Sequence, residues 1–264
     1  MRGLNALVTG STRGIGAAIA AALAAEGCNV MLNGFGDAKA IEAERQRLAD
    51  AHQVSVQYNG ADLGDEAELD GLTKAAEDAF GGIDILINNA VIRYFHDIGA
   101  FPRENWRHAL AVNVTAPFIL TQNVLPGMRA RNWGRIINFS SVLGLAARSG
   151  RADYITSKTA LLGLTRATAA ETGDLEGVTC NAICPGSVLT PNTEIKIGEL
   201  AEAEGMSFEA AKVAYRSRRG QHLDYIDPAR IAKLIVFLCQ DTSFDITGAA
   251  IPIDQGRSST WLEA

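Results

Sequence analysis

The sequence has few of the residues that build metal sites and disulfide frameworks. Its 264 residues include only four cysteines and four histidines, and the cysteines are dispersed through apolar segments. Cys180 and Cys184 are four residues apart, but no companion pair or nearby histidine completes a metal-binding pattern. We therefore expect buried free thiols, no metal ion and a reducing, cytoplasmic location.

Long hydrophobic runs and an excess of positive charge are also missing. No stretch approaches the ~18 apolar residues of a membrane span. The apolar run near the N-terminus is interrupted at Gly10, which makes it too short for a secretory signal. The net charge is −6, and this charge disfavours nucleic acids and anionic membranes as partners. We therefore expect no nucleic-acid partner and no membrane partner.

The sequence does contain a regular alternation of strand-like and helix-like segments. The predicted strands cover residues 4–8, 29–32, 54–57, 83–87, 135–139, 178–183 and 249–253. The predicted helices cover residues 14–26, 38–51, 66–80, 104–128, 152–171 and 228–239, with a kink or boundary at Pro117. This alternation predicts an α/β, doubly wound fold, in which a seven-stranded parallel sheet has helices on both faces. The length suits a single domain that spans residues 1–264.

Residues 190–225 break this alternation. The segment is polar, helix-prone and long for a connection. Long insertions after the carboxyl end of a strand often cover a binding site, so we predict a helical substrate lid; the alternative is a peripheral helical decoration. Within the segment, the basic run Arg216, Arg218 and Arg219 is typical of a solvated helix face.

A glycine-rich turn joins the first predicted strand to the first helix. Residues 9–16 have the spacing G-x-x-x-G-x-G, and glycines at such a turn let the backbone approach a pyrophosphate. Further candidates follow the third and fourth strands, at the sheet edge where a dinucleotide lies in Rossmann folds. The predicted cofactor-binding residues of these turns are Gly10, Thr12, Arg13, Gly14, Ile15, Gly16, Asp62, Leu63, Asn89 and Ala90.

Three polar side chains have the chemistry for proton transfer during carbonyl reduction or alcohol oxidation. Tyr154 and Lys158 are four residues apart, on one face of a predicted helix, and Ser141 follows the fifth strand. A tyrosine is a poor base at neutral pH, but a nearby ammonium group favours its phenolate form. The Ser141 hydroxyl can hold the substrate oxygen in line.

The order and spacing of these motifs resemble the classical short-chain dehydrogenases/reductases over nearly the whole chain. The matching residues are 9–16, Asp62, Asn88, Asn89, Ala90, Asn113, Ser141, Tyr154, Lys158, Pro185, Gly186 and Thr190. The resemblance implies that Asn113 completes a catalytic tetrad and supports a proton relay. It also implies that Tyr154, Lys158, Pro185, Gly186, Val188 and Thr190 contact the nicotinamide side of the cofactor, and that the protein is a homotetramer. The sequence departs from the family at Val91 and at Gln255, where glycine is usual.

The cofactor preference is ambiguous from the residues alone. An acidic residue at the end of the second strand would select NAD, but Asn33 stands there, and Arg13 suits the 2′-phosphate of NADP. The run from Asn33 to Asp37 resembles the bacterial D-3-hydroxybutyrate dehydrogenases, which use NAD, and this resemblance implies that Phe35 fills space near the ribose. NAD is therefore expected, with NADP as the alternative.

The predicted substrate pocket differs from that of the same subfamily. The places that grip the acid carry Arg93, Leu143, Arg151 and Lys196, and Ser187 and Arg257 replace the expected tryptophans. With Ser141 and Tyr154 these residues form the candidate substrate site, which suits a hydroxy acid or another small anion; alternatively, individual cations are solvated or paired with carboxylates. Two alternative functions stay open. One is an NADP-dependent reductase of a ketoacid, sugar or sugar acid. The other is a non-enzymatic regulator or scaffold that binds a dinucleotide.

Overall fold

A computed structural model of the protein describes residues 1–175, 177–218 and 223–259. Its strands are β1 (Asn5–Val8), β2 (Asn29–Asn33), β3 (Val56–Asn59), β4 (Ile85–Asn88), β5 (Gly134–Phe139), β6 (Val178–Pro185) and β7 (Ala250–Ile253). They form one seven-stranded parallel sheet in the order β3-β2-β1-β4-β5-β6-β7. The predicted fold class is confirmed. Arg219 and residues 260–264, which the lid and domain predictions include, lie outside the described residues.

Nine α-helices lie within the described residues. They are α1 (Gly14–Ala25), α2 (Ala38–His52), α3 (Glu66–Phe80), α4 (Arg103–Leu110), α5 (Ala116–Arg131), α6 (Ala152–Glu171), α7 (Pro191–Glu204), α8 (Phe208–Ser217) and α9 (Pro228–Leu238). Aspartates at the starts of several helices accept hydrogen bonds from free backbone N–H groups, as Asp37 does at α2 and Asp227 at α9.

Alternating side chains of the central strands build a hydrophobic core on each face of the sheet. Ile85 and Ile87 of β4 belong to the core that α1 and α9 cover, whereas Leu86 points to the opposite core, under α3 and α5. Because both faces are covered, the central strands β1, β4, β5 and β6 are buried along their whole length and are mostly apolar. From β1 the chain adds β2 and β3 on one side, then crosses back to place β4 on the other side of β1. The direction of strand addition reverses there, so the crevice between the carboxyl ends of β1 and β4 is the topological switch point of the sheet.

The long helical region after β4 is broken at its predicted boundary. A five-residue π-helical segment, Ala111–Thr115, separates α4 from α5. Pro117, where the sequence predicts a kink or boundary, lies in the first turn of α5. The π-helical form of the break was not predicted. The stretch Arg103–Arg131 is also long and apolar enough, by length and composition, to cross a membrane, which we did not expect from the sequence. A core helix passes the same test, and Leu120 and Met128 are buried in the core under α5.

The predicted lid segment forms two helices, α7 and α8, which pack on each other. Its two ends meet beside the sheet, because Ile226 N–H donates to Ser187 O over 2.9 Å and Leu189 N–H donates to Ile226 O over 3.2 Å. The basic run predicted to be solvated is partly paired instead: Arg218 contacts Glu204 at 2.6 Å and Arg216 contacts Asp224 at 3.2 Å. Opening and closing of this segment stay a prediction.

Candidate active site

The glycine-rich turn forms a cradle that only glycines can line. Gly10 and Gly14 have φ angles of +63° and +61°, in the left-handed region. A Cβ atom on Gly10 would lie 2.9 Å from the Cα of Ala90, and one on Gly16 would overlap the carbonyl oxygen of Gly10. Backbone packed this closely at the N-terminus of α1 fits the pyrophosphate of a dinucleotide.

The side-chain amide of Asn89 ties the turn to the ends of neighbouring strands. Asn89 Nδ2 donates to the carbonyl oxygens of Thr9 and Gly10 over 2.9 and 3.1 Å, and the Thr9 hydroxyl accepts from Asn89 N and Ala90 N. These bonds hold the carboxyl ends of β1 and β4 in register around the crevice. Val91 is exposed and its φ is not positive, so a valine is accommodated there without strain.

The turn after β3 carries two of the predicted cofactor-binding residues. Asp62 is exposed, and its Oδ1 accepts from Gly64 N over 2.8 Å. The Leu63 side chain is buried among core residues under α3, so only its backbone is left for a cofactor. The cofactor-binding role of both residues stays a prediction.

Asn33 is turned into the protein. The residue is 1% exposed, and its Nδ2 donates to Asn59 O over 3.1 Å and to Ala61 O over 3.0 Å. The sequence predicts Asn33 as a cofactor-binding residue at the end of β2, but its side-chain nitrogen is bonded to the loop after β3. Only Oδ1, which has no partner among the described residues, is left for a cofactor contact. Phe35, next along the chain after Gly34, is 63% exposed and lies at the edge of the cradle, where Thr12 Oγ1 donates to its carbonyl oxygen.

Asn113 lies in the middle of the π-helical segment and holds the loop after β4. Its Oδ1 accepts from Ile92 N over 2.9 Å and its Nδ2 donates to Ile92 O over 2.8 Å and to Ser157 Oγ over 3.2 Å. A π-helical turn inside an α-helix is frequent at functional sites because it redirects side chains. The structure thus connects Asn113 to the helix that carries Tyr154, whose carbonyl oxygen accepts from Ser157 Oγ.

Lys158 is buried between α6 and the end of β5. Its Nζ donates to Phe139 O over 2.6 Å and lies 5.7 Å from the centre of the Tyr154 ring. Burial, together with the positive charge of Arg93, lowers the pKa of Lys158 to about 7. Ser141 caps a short 3-10 turn on the same side, where its Oγ accepts from Leu143 N over 3.1 Å. Ser141, Tyr154 and Lys158 therefore lie around the carboxyl end of β5, as predicted.

Two cations and an aromatic ring lie close to Tyr154. The Arg151 guanidinium lies 4.8 Å from the Tyr154 ring centre and 4.3 Å from that of Phe95. Lys196 of α7 approaches the same Phe95 ring to 4.8 Å. We call Phe95, Arg151, Tyr154 and Lys196 the Phe95 cluster. Three of its members were candidates from the sequence.

Phe95 was missed by sequence reasoning, because nothing in an exposed loop residue signals which side chains it will meet. Buried Asp153 holds this loop: its Oδ2 accepts from Tyr94 N over 2.8 Å. An isolated β-bridge between His96 and Arg151 is a second attachment of this loop, at the start of α6. The one sequence signal for this arrangement is Asp153, an acidic residue directly before Tyr154.

The remaining candidates surround the crevice at the ends of β6 and β7. Thr190 lies across from the glycine turn, since a Cβ on Gly14 would be 3.7 Å from the Thr190 side chain. Val188 is buried. Gly186, in the turn after β6, packs on Asp254, in the turn after β7. Asp254 accepts a hydrogen bond from Gly256 N. The remaining candidates of these two turns are Pro185 and Ser187 after β6 and Arg257 after β7. Their contacts with cofactor or substrate stay predictions.

Comparisons with known proteins agree with this architecture. Residues 4–199 match the family described as short chain dehydrogenase. The chain belongs to this family. The D-beta-hydroxybutyrate dehydrogenase of Cupriavidus necator is 42% identical over 257 residues, which cover 97% of this chain and 98% of that protein. The enzyme of the same name from Rhizobium meliloti is 36% identical over 252 residues, covering 96% and 97%.

A solved structure of another family member has the same fold. The L-sorbose reductase of Gluconobacter frateurii, complexed with NADPH and L-sorbose, superposes with a TM-score of 0.92 at 28% identity, covering 99% of this chain and 98% of that one. This short-chain dehydrogenase is therefore an NAD(P)-dependent oxidoreductase, and the alternative of a non-enzymatic scaffold is removed.

Proposed function

We propose that this enzyme oxidises the secondary alcohol of a small hydroxy acid, with NAD as the hydride acceptor, and that Arg151 binds the carboxylate of the acid. The position of Arg151 is the observation that carries the proposal. Its guanidinium contacts the rings of both Phe95 and Tyr154. Its Nε is buried without a hydrogen-bond partner in the described part of the chain. The name of the two hydroxybutyrate dehydrogenases supports the same substrate class.

The energetics of Arg151 favour an anion at this place. Burial, followed by the positive charge of Arg93, lowers the pKa of Arg151, and Arg148 adds to the repulsion. No carboxylate of the described residues forms an ion pair with Arg151. The negative charge of Asp153 offsets only part of the cost of holding this cation partly out of water. A carboxylate bound to Arg151 would lower that cost further. Arginine also offers paired donors that match the two oxygens of a carboxylate.

The residues below the carboxylate subsite supply the proton chemistry. A nicotinamide bound beside Tyr154 would supply the acceptor for the hydride that leaves the carbinol carbon. Tyr154 takes the hydroxyl proton as its phenolate, and Ser141 holds the substrate oxygen by a hydrogen bond. Lys158, when protonated, favours that phenolate. In the reverse direction Tyr154 donates the proton to the carbonyl oxygen.

Two observations support NAD over NADP. The turn between β2 and α2, residues 34–37, contains no lysine or arginine to bind a 2′-phosphate, and its one charged residue is the carboxylate of Asp37. The second candidate function, an NADP-dependent reductase of a ketoacid, sugar or sugar acid, rests on Arg13. This residue is exposed at the start of α1 and has no ion pair within the described residues. Affinities of NAD and NADP for the native protein and for Arg13→Ala separate the two candidates.

NADH formation with matched substrates tests the proposed reaction. We expect turnover of 3-hydroxybutyrate and far slower turnover of its methyl ester, which lacks the charge. Arg151→Met keeps an apolar side chain between the rings and should lower kcat/KM for the acid about 100-fold, the effect of one lost charge-assisted contact. Arg166→Met, at an exposed position of α6, the helix that begins directly after Arg151, is the control. Equal rates for acid and ester in the native enzyme would remove the carboxylate role of Arg151.

The family resemblance also supports a homotetramer built partly on α4, α5 and α6. Phe118 of α5 is 49% exposed, an unusual position for a large apolar ring on a free surface. Sedimentation equilibrium of the native protein and of Phe118→Asp measures the assembly, and a monomeric native protein would contradict it. The cytoplasmic location is likewise proposed, on the four buried free cysteines.

A further inference from the structure

Asp153 is a buried acid that the proposed proton chemistry does not use. It is 0% exposed and is one of three buried aspartates among the described residues. The other two, Asp84 and Asp254, use both carboxylate oxygens in hydrogen bonds or an ion pair. Asp153 accepts one bond, from Tyr94 N to Oδ2 over 2.8 Å, and its buried Oδ1 has no partner within the described part of the chain. A carboxylate with so little compensation is costly to bury, so packing alone does not account for an acid here.

The single bond of Asp153 holds one end of a short loop against α6. Asp153 is the second residue of α6, and its bond reaches the loop at Tyr94. The β-bridge between His96 and Arg151 attaches the other end of the loop directly before the same helix. Phe95 lies between the two attachments, and its ring centre is 4.3 Å from the Arg151 guanidinium. The two attachments together therefore set where the Phe95 ring lies.

The Arg151 guanidinium is positioned by aromatic rings and not by an ion pair. It contacts the rings of Phe95 and Tyr154, and it has no carboxylate at ion-pair distance in the described residues. Phe95 is itself 50% exposed, so its loop and not burial of its ring keeps it in place. If the loop were released, binding of a carboxylate would have to order the Arg151 side chain, which lowers affinity.

We infer that Asp153 is a positioning residue for the substrate, which keeps Arg151 in place above Tyr154 by holding the loop at Tyr94. The inference rests on the proposed function and names a residue that controls its carboxylate subsite. Asp153 acts in two opposite ways. Its hydrogen bond preserves the subsite, whereas its negative charge attracts Arg151 and competes with a bound carboxylate.

Two substitutions separate the hydrogen bond from the charge. Asp153→Ala removes both and should raise KM for 3-hydroxybutyrate about 10-fold, the effect of ordering one long side chain, while kcat changes less than about 3-fold. Asp153→Asn keeps an oxygen acceptor for Tyr94 N and loses the charge, so its KM should be no higher than that of the native enzyme. A KM raised 10-fold or more in Asp153→Asn would overturn the inference, and this holds even if Asp153→Ala does not fold.

Asp84→Ala is the matched control for loss of stability alone. Asp84 also accepts from a backbone N–H, that of Asn5 over 2.9 Å, but it lies directly before β4, at the edge of the sheet opposite the site. We expect this variant to unfold at lower urea concentration than the native protein and to keep the native KM. A rise in KM equal to that of Asp153→Ala would show that general destabilisation causes the effect, and it would overturn the inference.

Two measurements without substrate separate failure of this inference from failure of the proposed function. Hydrogen exchange of residues 92–97 reports whether the loop is held, and phenylglyoxal labelling of Arg151, mapped by mass spectrometry against exposed Arg166, reports whether the guanidinium is held. Both rates should rise about 10-fold in Asp153→Ala and stay native in Asp153→Asn. Native rates in Asp153→Ala, or raised rates in Asp153→Asn, overturn the inference even if 3-hydroxybutyrate is oxidised. If the rates behave as expected and no hydroxy acid is oxidised, only the proposed function fails.

Discussion

The buried amine of Lys158 should leave a measurable signature in the pH dependence of stability. Its pKa is about 7 in the folded protein, compared with about 10.4 for a lysine in an unfolded chain. Between these two values the unfolded chain binds more protons than the folded one, so the contribution of Lys158 to stability rises with pH. At pH 7 the buried amine costs on the order of 4 kcal/mol relative to a neutral group, and by pH 9 the cost falls to about 2 kcal/mol.

Replacing Lys158 with methionine removes the titrating group and keeps a chain of similar length. The variant also leaves Phe139 O, which now accepts from Nζ, without that donor, at a cost of about 1–3 kcal/mol. That cost does not change with pH, so the difference in free energy of unfolding between the variant and the native protein isolates the titration. We expect this difference to shift by about 2 kcal/mol in favour of the native protein between pH 7 and pH 9.

Urea unfolding of both proteins at pH 7, 8 and 9, at one protein concentration, measures the shift. Other titrating groups are common to the two proteins and cancel in the difference. A difference that stays constant over this range would show that Lys158 keeps an ordinary affinity for its proton, and the electrostatic description of the pocket would be wrong.

Three further predictions concern the cofactor side. Gln255 has a φ of +62° where the family usually has glycine, so Gln255→Gly should raise the free energy of unfolding by about 0.5–1 kcal/mol in urea titrations; a loss of stability would contradict the strain. Asn33→Asp should destabilise the protein by about 3 kcal/mol and leave the NAD to NADP affinity ratio unimproved, because the new carboxylate faces two carbonyl oxygens; stable protein with tighter NAD binding would refute this orientation. Gly16→Ala should abolish NADH binding, measured by fluorescence, since its Cβ overlaps Gly10 O, and retained binding would argue against the cradle.

Most of the fold could be predicted from the sequence because its signals are local. Apolar runs, helix caps and glycine stops located seven strands. The largest errors among their starts are two residues, at β3, which begins at Val56 rather than at residue 54, and at β4, which begins at Ile85 rather than at residue 83. The position of Ser141, Tyr154 and Lys158 around one strand end also followed from strand order and helical periodicity. The π-helical segment did not, because its residues have no composition that separates them from the α-helix on either side.

The rest of the site depends on contacts between loops that are distant in the chain. The inward orientation of Asn33 is set by carbonyl groups at positions 59 and 61, after β3. The Phe95 ring meets Arg151 only because Asp153 and the bridge at His96 hold its loop on α6. No local pattern records either arrangement, so the sequence indicated the charges of the substrate pocket but not their geometry.

The most direct test of the central claim is the rate of NADH formation by Tyr154→Phe with a hydroxy acid that the native enzyme oxidises. The claim is that the Tyr154 phenol exchanges the proton of the reacting oxygen. We expect the rate to fall about 1,000-fold or more, while NADH binding, followed by fluorescence, changes little. A variant that keeps a substantial fraction of the native rate would show that another group carries the proton.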